Sequence, residues 1–237
     1  MSKLYFFRHG QASLGADNYD MLSDKGKLQA EHLGTYLLSQ KLHFDKIYVG
    51  PLTRQIDTYQ QVKQVYQQRH SSLPESRQIV GLREHQGIEA MKIALPELVK
   101  TDDYLKSLQA DSKKNPANTL RNTMKSFHYF LGEWAKGNIV VDGVRKWATF
   151  REETRQALTQ ILENTESGET IGVFSSGGTI SAITAECLGL PTQKSVTELN
   201  FSIRNTAITS FLFSNDQFNL LTFNELPHLK GSMVTFI

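Results

Sequence analysis

The chain has 237 residues, 39% hydrophobic and 21% charged, an ordinary globular composition with length for one large core or two small ones. Twenty-six basic residues against 24 acidic ones leave a formal net charge of +2, which argues against a nucleic-acid or membrane surface. The single cysteine, Cys187, excludes an internal disulfide and any multi-cysteine metal site, and its apolar helical surroundings predict an inert buried thiol.

In chain order, Leu4-Tyr5-Phe6-Phe7 reads as a short buried strand. It is too short for the apolar region of a signal peptide, and no segment approaches the ~20 apolar residues of a membrane helix, so a cytoplasmic location is expected. Ser23 or Asp24 can cap a helix running to about Gln40, with Ala30, Leu33 and Leu37 on one face. A second strand is predicted at Lys46-Ile47-Tyr48-Val49. A helix with Ile56, Tyr59, Val62 and Tyr66 in register follows, broken at Ser71-Ser72-Leu73-Pro74. Residues 78–82 are a third strand candidate leading to Glu84.

The middle differs. Residues 89 to about 137 read as mostly helical, with Leu120, Met124, Phe127, Leu131 and Trp134 as an apolar stripe and Lys113-Lys114 as solvated loop charge. This block is expected to be a helical insertion in an otherwise alternating chain. A helix over residues 147 to about 164 follows, with Phe150, Leu158, Ile161 and Leu162 toward the core. Ile171-Gly172-Val173-Phe174 is a further buried strand. It ends in Ser175-Ser176-Gly177-Gly178 and opens a helix expected from Thr179 to Gly189. The tail predicts a hairpin: residues 207–213, a turn at Asn215-Asp216, then residues 218–223. No Pro/Gly/Ser-rich linker divides the chain. The expectation is a single domain over 1–237, a three-layer α/β/α sandwich with a mostly parallel mixed sheet and the insertion at about 89–137.

Four predicted strands end in polar clusters: Arg8-His9-Gly10, Gly50-Pro51-Leu52-Thr53-Arg54, Glu84-His85 and Ser175-Ser176-Gly177-Gly178. Open α/β sheets place their chemistry at the carboxyl ends of strands, so adjacent strands would gather these clusters around one pocket. The guanidinium forks of Arg8 and Arg54 match phosphoryl oxygens and neutralise them. The backbone N–H groups after Ser176, beginning at Gly177, form an anion site at a helix start, to which the Ser176 hydroxyl can add a hydrogen bond. Ser176 can equally serve as the cap of that helix. His9 can attack phosphorus, and Glu84 can protonate a leaving oxygen and then activate water. No cofactor or metal is called for, since the arginines supply the positive charge and the seven histidines are scattered.

Taken together, these segments resemble the histidine phosphatase superfamily, the phosphoglycerate mutase-like proteins. The resemblance runs through residues 7–12, Leu22-Ser23-Asp24-Lys25-Gly26 with Gln29-Ala30 and Leu33-Gly34, residues 50–54, Leu82-Arg83-Glu84, residues 173–178 and the tail around His228-Leu229. It implies a phosphohistidine at His9, phosphate binding by Arg8 and Arg54, Glu84 as acid/base, and an inserted segment shaping substrate access. The implied partner is a phosphorylated small molecule or protein side chain. The family usually carries a second histidine where this chain has Ser176, and loss of a charged donor there implies a rate lowered by roughly 10²–10³. A catalytically degenerate protein that only binds a phosphorylated ligand is the alternative. Gly15 stands where the family's mutases carry an asparagine, which argues against a mutase. Two histidines could substitute for the missing one. His85 would face away from Glu84 in a strand but not in a loop, and His228 could approach from the tail. His32, His43, His70 and His128 are expected at the surface or in packing, and Trp134 and Trp147 in packing.

Overall fold

The computed structural model describes residues 1–13, 19–190, 192–214 and 216–236. Gly15 and Asn215 lie outside the described residues. Six strands form one sheet in the order β3-β2-β4-β1-β5-β6. They are β1 (Ser2–Arg8), β2 (Lys46–Val49), β3 (Ser76–Gln78), β4 (Thr170–Ser175), β5 (Ile208–Ser214) and β6 (Gln217–Glu225). The first four run parallel, and β5 is antiparallel to both β1 and β6.

Alternation along the central strands supplies both faces of the core. From β1, Leu4 and Phe6 point to one side with Tyr48, Ile171 and Val173. They pack there against Ala157, Leu158 and Ile161 of α6 (Trp147–Glu163) and Ile180 and Ile183 of α7 (Gly177–Cys187). Phe7 points to the other side with Ile47, Val49 and Phe174. That side is covered by Leu33 and Leu37 of α1 (Asp24–Ser39) and by Tyr59, Val62 and Tyr66 of α2 (Thr53–Gln68). The result is the expected α/β/α layering. Burying each such side chain stabilises the fold by about 1.5–3 kcal/mol.

A third cluster is mostly helical, with Val141 added from a loop. It joins α3 (Gly87–Thr101) and α5 (Thr119–Lys136) to α6, α7 and α8 (Gln193–Ser202) through Met91, Phe130, Trp134, Trp147, Phe150 and Val196. Between α3 and α5 lies α4 (Asp103–Lys114), with Lys113 and Lys114 exposed in its last turn rather than in a loop.

Other expectations are corrected. Residues 78–82 are not a strand: β3 ends at Gln78, and Val80–Leu82 is a 3-10 turn. The turn is held because Gly81 lies so close to α6 that a Cβ there would sit 2.4 Å from the Glu153 carbonyl oxygen. Glu84 and His85 therefore follow a turn. The stripe on α5 is rotated: Leu131 and Trp134 are buried, Leu120 is 71% exposed, and Asn122, Ser126 and Phe130 face inward. Asn122 accommodates this because its amide donates to the Leu108 carbonyl, Asp111 Oδ2 and Ser112 Oγ at 2.7–3.3 Å. The helix at the end of β4 opens at Gly177, two residues before Thr179. Cys187 is half-buried, with Sγ 3.3 Å from the Phe218 carbonyl, and burial pushes its thiol pKa up. Helix α8 went unpredicted, although Thr192 caps it through Ser195 N–H. Among the described residues, no helix is long and apolar enough to cross a membrane.

Candidate active site

Register brings the strand ends together. Arg8 pairs with Ser175 across β1 and β4, and Val49 pairs with Phe174 across β2 and β4. The last ladder bonds run from His9 N–H to the Ser175 carbonyl (2.9 Å) and from Gly50 N–H to the Phe174 carbonyl (3.0 Å). Beyond β1 the chain crosses the first turn of α1, where a Cβ on Gly10 would lie 2.4 Å from the Gly26 carbonyl oxygen. Only glycine allows that approach, which fixes the path of the His9 backbone.

His9 is 3% exposed. Its Nδ1 lies 2.7 Å from the Gly10 carbonyl oxygen and so carries the proton, since a carbonyl only accepts. The Nε2 lone pair is left to face Arg54, whose Nε donates to it at 3.1 Å. Burial, then Arg54 and Arg8, hold the imidazole pKa well below its ordinary value, so His9 is neutral at pH 7. Arg54 is held in turn by Asp20: Nη1 meets Oδ1 at 2.6 Å, while Oδ2 accepts from Thr53 N–H at 2.8 Å. The Tyr19 ring centroid lies 5.5 Å from the Arg54 guanidinium carbon. Thr58, one turn on from Arg54, links the two segments by accepting from Gly10 N–H (3.0 Å) and donating to the Arg54 carbonyl (2.6 Å).

Arg8 donates through Nη1 to the Ile203 carbonyl, while its buried Nε has no hydrogen-bond partner. Burial brings its pKa down to about 10, with Glu84 opposing and Arg54 adding to the shift. A Cβ on Gly177 would lie 3.6 Å from Arg8 Nε, which places Gly177 beside this guanidinium. Glu84 is attached to the same helix start: Oε2 accepts from Gly178 N–H at 3.1 Å, and Oε1 from His85 N–H at 3.0 Å. Burial pushes its carboxyl pKa up, but His85, the Gly178 N–H, Arg54 and the His85 N–H outweigh burial and hold it below its ordinary value. Arg145 Nη2 anchors the Glu84 carbonyl at 2.6 Å.

His9, Arg8, Arg54, Glu84 and Gly177 thus meet at the carboxyl edge of the sheet. Ser176 is also there, fully buried at the N-cap position of α7, but its side chain makes no capping bond. Its Oγ accepts from Gln55 Nε2 at 2.8 Å. The Gln55 amide also donates to the Leu82 carbonyl (3.0 Å) and accepts from Leu52 N–H (3.1 Å).

The remaining histidines are apart from this group or behind it. His85 is buried against Trp134, Trp147 and Phe150, with Nε2 3.5 Å from Glu84 Oε1. His228 meets Thr206 Oγ1 at 2.9 Å and borders a cleft with Glu31, His32, Thr35, Tyr36 and Ser39. His32, His43, His70 and His128 are exposed. Among the described residues, no group of three or more His, Cys, Asp or Glu could hold a metal ion.

Sequence reasoning missed Asp20, Gln55, Thr58, Arg145 and Asn200, whose side-chain amide lies 3.1 Å from His85 Nε2. Thr58 was within reach, because it lies four residues after Arg54 on one helix face. The others come from a loop, from the unpredicted α8, or from a position whose partner is remote in sequence.

The profile of the histidine phosphatase superfamily (branch 1) matches residues 4–79 and 80–226. No curated protein matches the chain. Among solved structures, the fold is similar to a phosphoserine phosphatase from Entamoeba histolytica crystallised with 3-phosphoglyceric acid. That pair is 20% identical with a TM-score of 0.60, covering 97% of this chain and 100% of the other. It is also similar to YhfR of Bacillus stearothermophilus (17% identity, TM-score 0.66, coverage 96% and 99%). A third is a putative alpha-ribazole-5'-P phosphatase of Escherichia coli (16% identity, TM-score 0.62, coverage 95% and 98%).

Proposed function

The chain belongs to the histidine phosphatase superfamily, and from that premise we propose that it hydrolyses phosphomonoesters through a phosphohistidine at His9. The observation that carries this reading is the His9 tautomer. A neutral imidazole held by the Gly10 carbonyl offers its Nε2 lone pair beside Arg54 Nε. When substrate binds, the Arg54 Nε–H bond passes from Nε2 to a phosphoryl oxygen; the freed Nε2 attacks phosphorus in line, and the P–N bond forms as the ester P–O bond breaks. Arg54, Arg8 with its unpartnered Nε, and Gly177 N–H take the equatorial oxygens. The charge of the bound phosphoryl group raises the Glu84 carboxyl pKa, so that it takes up a proton and passes it to the leaving oxygen. The carboxylate then removes a proton from water as water attacks phosphorus. The P–N bond breaks, inorganic phosphate leaves, and His9 is regenerated. Ser176 stands where the family usually has an imidazole, so turnover is slower than with a charged donor at that position.

The substrate class is a phosphorylated small molecule or protein side chain, and the helices of residues 89–137 act as an insertion that sets access within one domain. Hydrolysis of p-nitrophenyl phosphate by the wild type and by His9→Ala tests the proposal. Wild-type turnover that His9→Ala abolishes is expected, with phosphate trapped on His9 after acid-free quenching. Equal background rates in the two proteins would sink the enzyme reading. Binding of vanadate without turnover would then favour a degenerate, ligand-binding protein.

A further inference from the structure

Gln29 of α1 is fully buried, and both ends of its amide are committed. Its Oε1 accepts Gln11 N–H at 2.8 Å. Its Nε2 donates to the Met233 carbonyl at 2.7 Å and to Thr235 Oγ1 at 2.8 Å. A main-chain N–H only donates and a carbonyl only accepts, so the orientation of this amide is fixed. The Thr235 hydroxyl, having accepted from Gln29, donates to Asn205 Oδ1 at 2.8 Å. Asn205, also fully buried, then donates through Nδ2 to the His9 carbonyl at 3.2 Å. One hydrogen-bond polarity therefore runs unbroken from Gln11 N–H to the His9 carbonyl.

The two ends of this network are the two peptide units that follow His9. In a trans peptide the N–H and the C=O point in opposite directions from one rigid plane. Tethering Gln11 N–H to Gln29 therefore aims the Gly10 carbonyl the other way, toward His9 Nδ1 at 2.7 Å. The His9–Gly10 peptide is held at both ends as well. Its carbonyl accepts from Asn205 Nδ2 and from Thr206 N–H at 3.3 Å, and Gly10 N–H donates to Thr58 Oγ1 at 3.0 Å. Residues 233–235 close the arrangement, because the Thr235 carbonyl also accepts Asn205 N–H at 2.9 Å. With the Gly10 carbonyl turned away, nothing would hold the proton on Nδ1. An imidazole protonated on Nε2 has no lone pair there to present to phosphorus.

We propose that Gln29 is a positioning residue for the nucleophile: with Thr235 and Asn205 it aims the Gly10 carbonyl at His9 and so keeps the reactive lone pair on Nε2. The catalytic consequence rests on the phosphohistidine reading above, whereas the tautomer itself does not. Gln29 acts through the backbone, and phosphate binding stays with Arg8, Arg54 and Gly177.

Three variants test it. Gln29→Met keeps the bulk of the side chain without its hydrogen bonds. Thr235→Val cuts the network at the hydroxyl, and Thr235→Ser keeps the hydroxyl. The tautomer is read from long-range proton–nitrogen correlation spectra of protein carrying isotope-labelled histidine, with the His9 signals assigned by their loss in His9→Ala. Rate is read as kcat/KM on p-nitrophenyl phosphate, and phosphate binding as the inhibition constant of inorganic phosphate. Gln29→Met and Thr235→Val are expected to populate the Nε2–H tautomer and to lose ~10–100-fold in kcat/KM, while the inhibition constant changes by less than ~2-fold. Thr235→Ser is expected to restore the wild-type tautomer and most of the rate. If Gln29→Met does not fold, the Thr235 pair decides. Retention of the Nδ1–H tautomer in the folded variants would overturn the proposal, as would parallel losses of rate and phosphate affinity, which mark a merely structural role. A wild type inactive on the ester overturns the phosphohistidine reading, while the spectra still decide the Gln29 assignment.

Discussion

Replacing Ser176 with histidine is expected to fail alone and to succeed together with Gln55→Ala. Ser176 and Gln55 are both fully buried, with Oγ and Nε2 2.8 Å apart. Behind Gln55 there is no slack: a Cβ on Gly50 would sit 2.0 Å from Gln55 Oε1. An imidazole at position 176 must displace the Gln55 amide or strain itself, and overpacking of this kind costs about 1–3 kcal/mol. In a domain of this size that lowers Tm by roughly 2–4 °C per kcal/mol. Removing the Gln55 side chain opens the space, while the Leu82 carbonyl keeps Ser175 Oγ as a donor at 2.7 Å. On the proposed mechanism, a charged donor on the phosphoryl oxygens is worth about 2.7–4 kcal/mol, or ~10²–10³ in kcat. Arg54 and Arg8 disfavour protonation of a new imidazole, so the gain should be at the lower end, near ~10², and larger below neutral pH. The assay is kcat on p-nitrophenyl phosphate from pH 5 to 8, with a thermal melt of each variant. A single Ser176→His variant as stable as wild type and as fast as the double variant would refute the packing argument. A stable double variant with no gain in rate would show that position 176 does not address the phosphoryl group.

Two further outcomes follow from the geometry. Gly178→Ala puts a Cβ 2.1 Å from Glu84 Oε1 and 2.6 Å from His85 Cδ2, so the carboxylate must move. Its kcat on an alkyl phosphate should drop ~10²-fold while vanadate binding persists, a split that a misfolded variant would not show. Stability should fall with acidity through the buried histidines. Burial, and then His32, bring the His228 pKa down to about 4, so the folded protein binds fewer protons than the unfolded chain, whose histidines titrate near ~6.5. This stabilisation is present in full above pH ~6.5 and is lost as pH falls toward the folded value. Between pH 7 and 5 it amounts to roughly 2 kcal/mol for His228, and His9 and His85 act with the same sign. Denaturant titrations of His228→Gln at both pH values should show that much less acid sensitivity. A pH dependence identical to wild type would rule out His228 as a contributor.

The alternation of Leu4, Phe6 and Phe7, the turn-bounded strands at 46–49 and 171–174, and the apolar faces of the first two helices are local patterns. Each depends on residues close in the chain, and so the layered α/β architecture and the order of its elements could be read directly. Errors arose where a distant contact overruled local preference. Residues 80–82 look extended but turn because Gly81 packs on α6. The face of α5 is rotated because Asn122 finds three acceptors on α4.

The site divides in the same way. Arg8, His9, Arg54, Glu84, Ser176 and Gly177 were named by the sequence, since chemistry at the carboxyl ends of parallel strands is announced by polar clusters that follow apolar runs. Their state was decided by tertiary structure alone. The His9 tautomer comes from its own loop, but the low pKa comes from burial, with Arg54 and Arg8 closing on it. Asp20, 34 residues away, holds Arg54. Gln55, 121 residues away, occupies the Ser176 hydroxyl. His85 is adjacent to Glu84 in sequence, yet the setting of its ring depends on the Gly87 N–H donated to Nδ1 and on an aromatic cage from α5 and α6. Residue types and their order are carried by the chain. Protonation, orientation and hydrogen-bond polarity depend on distances between segments, and those exist only once the chain has folded.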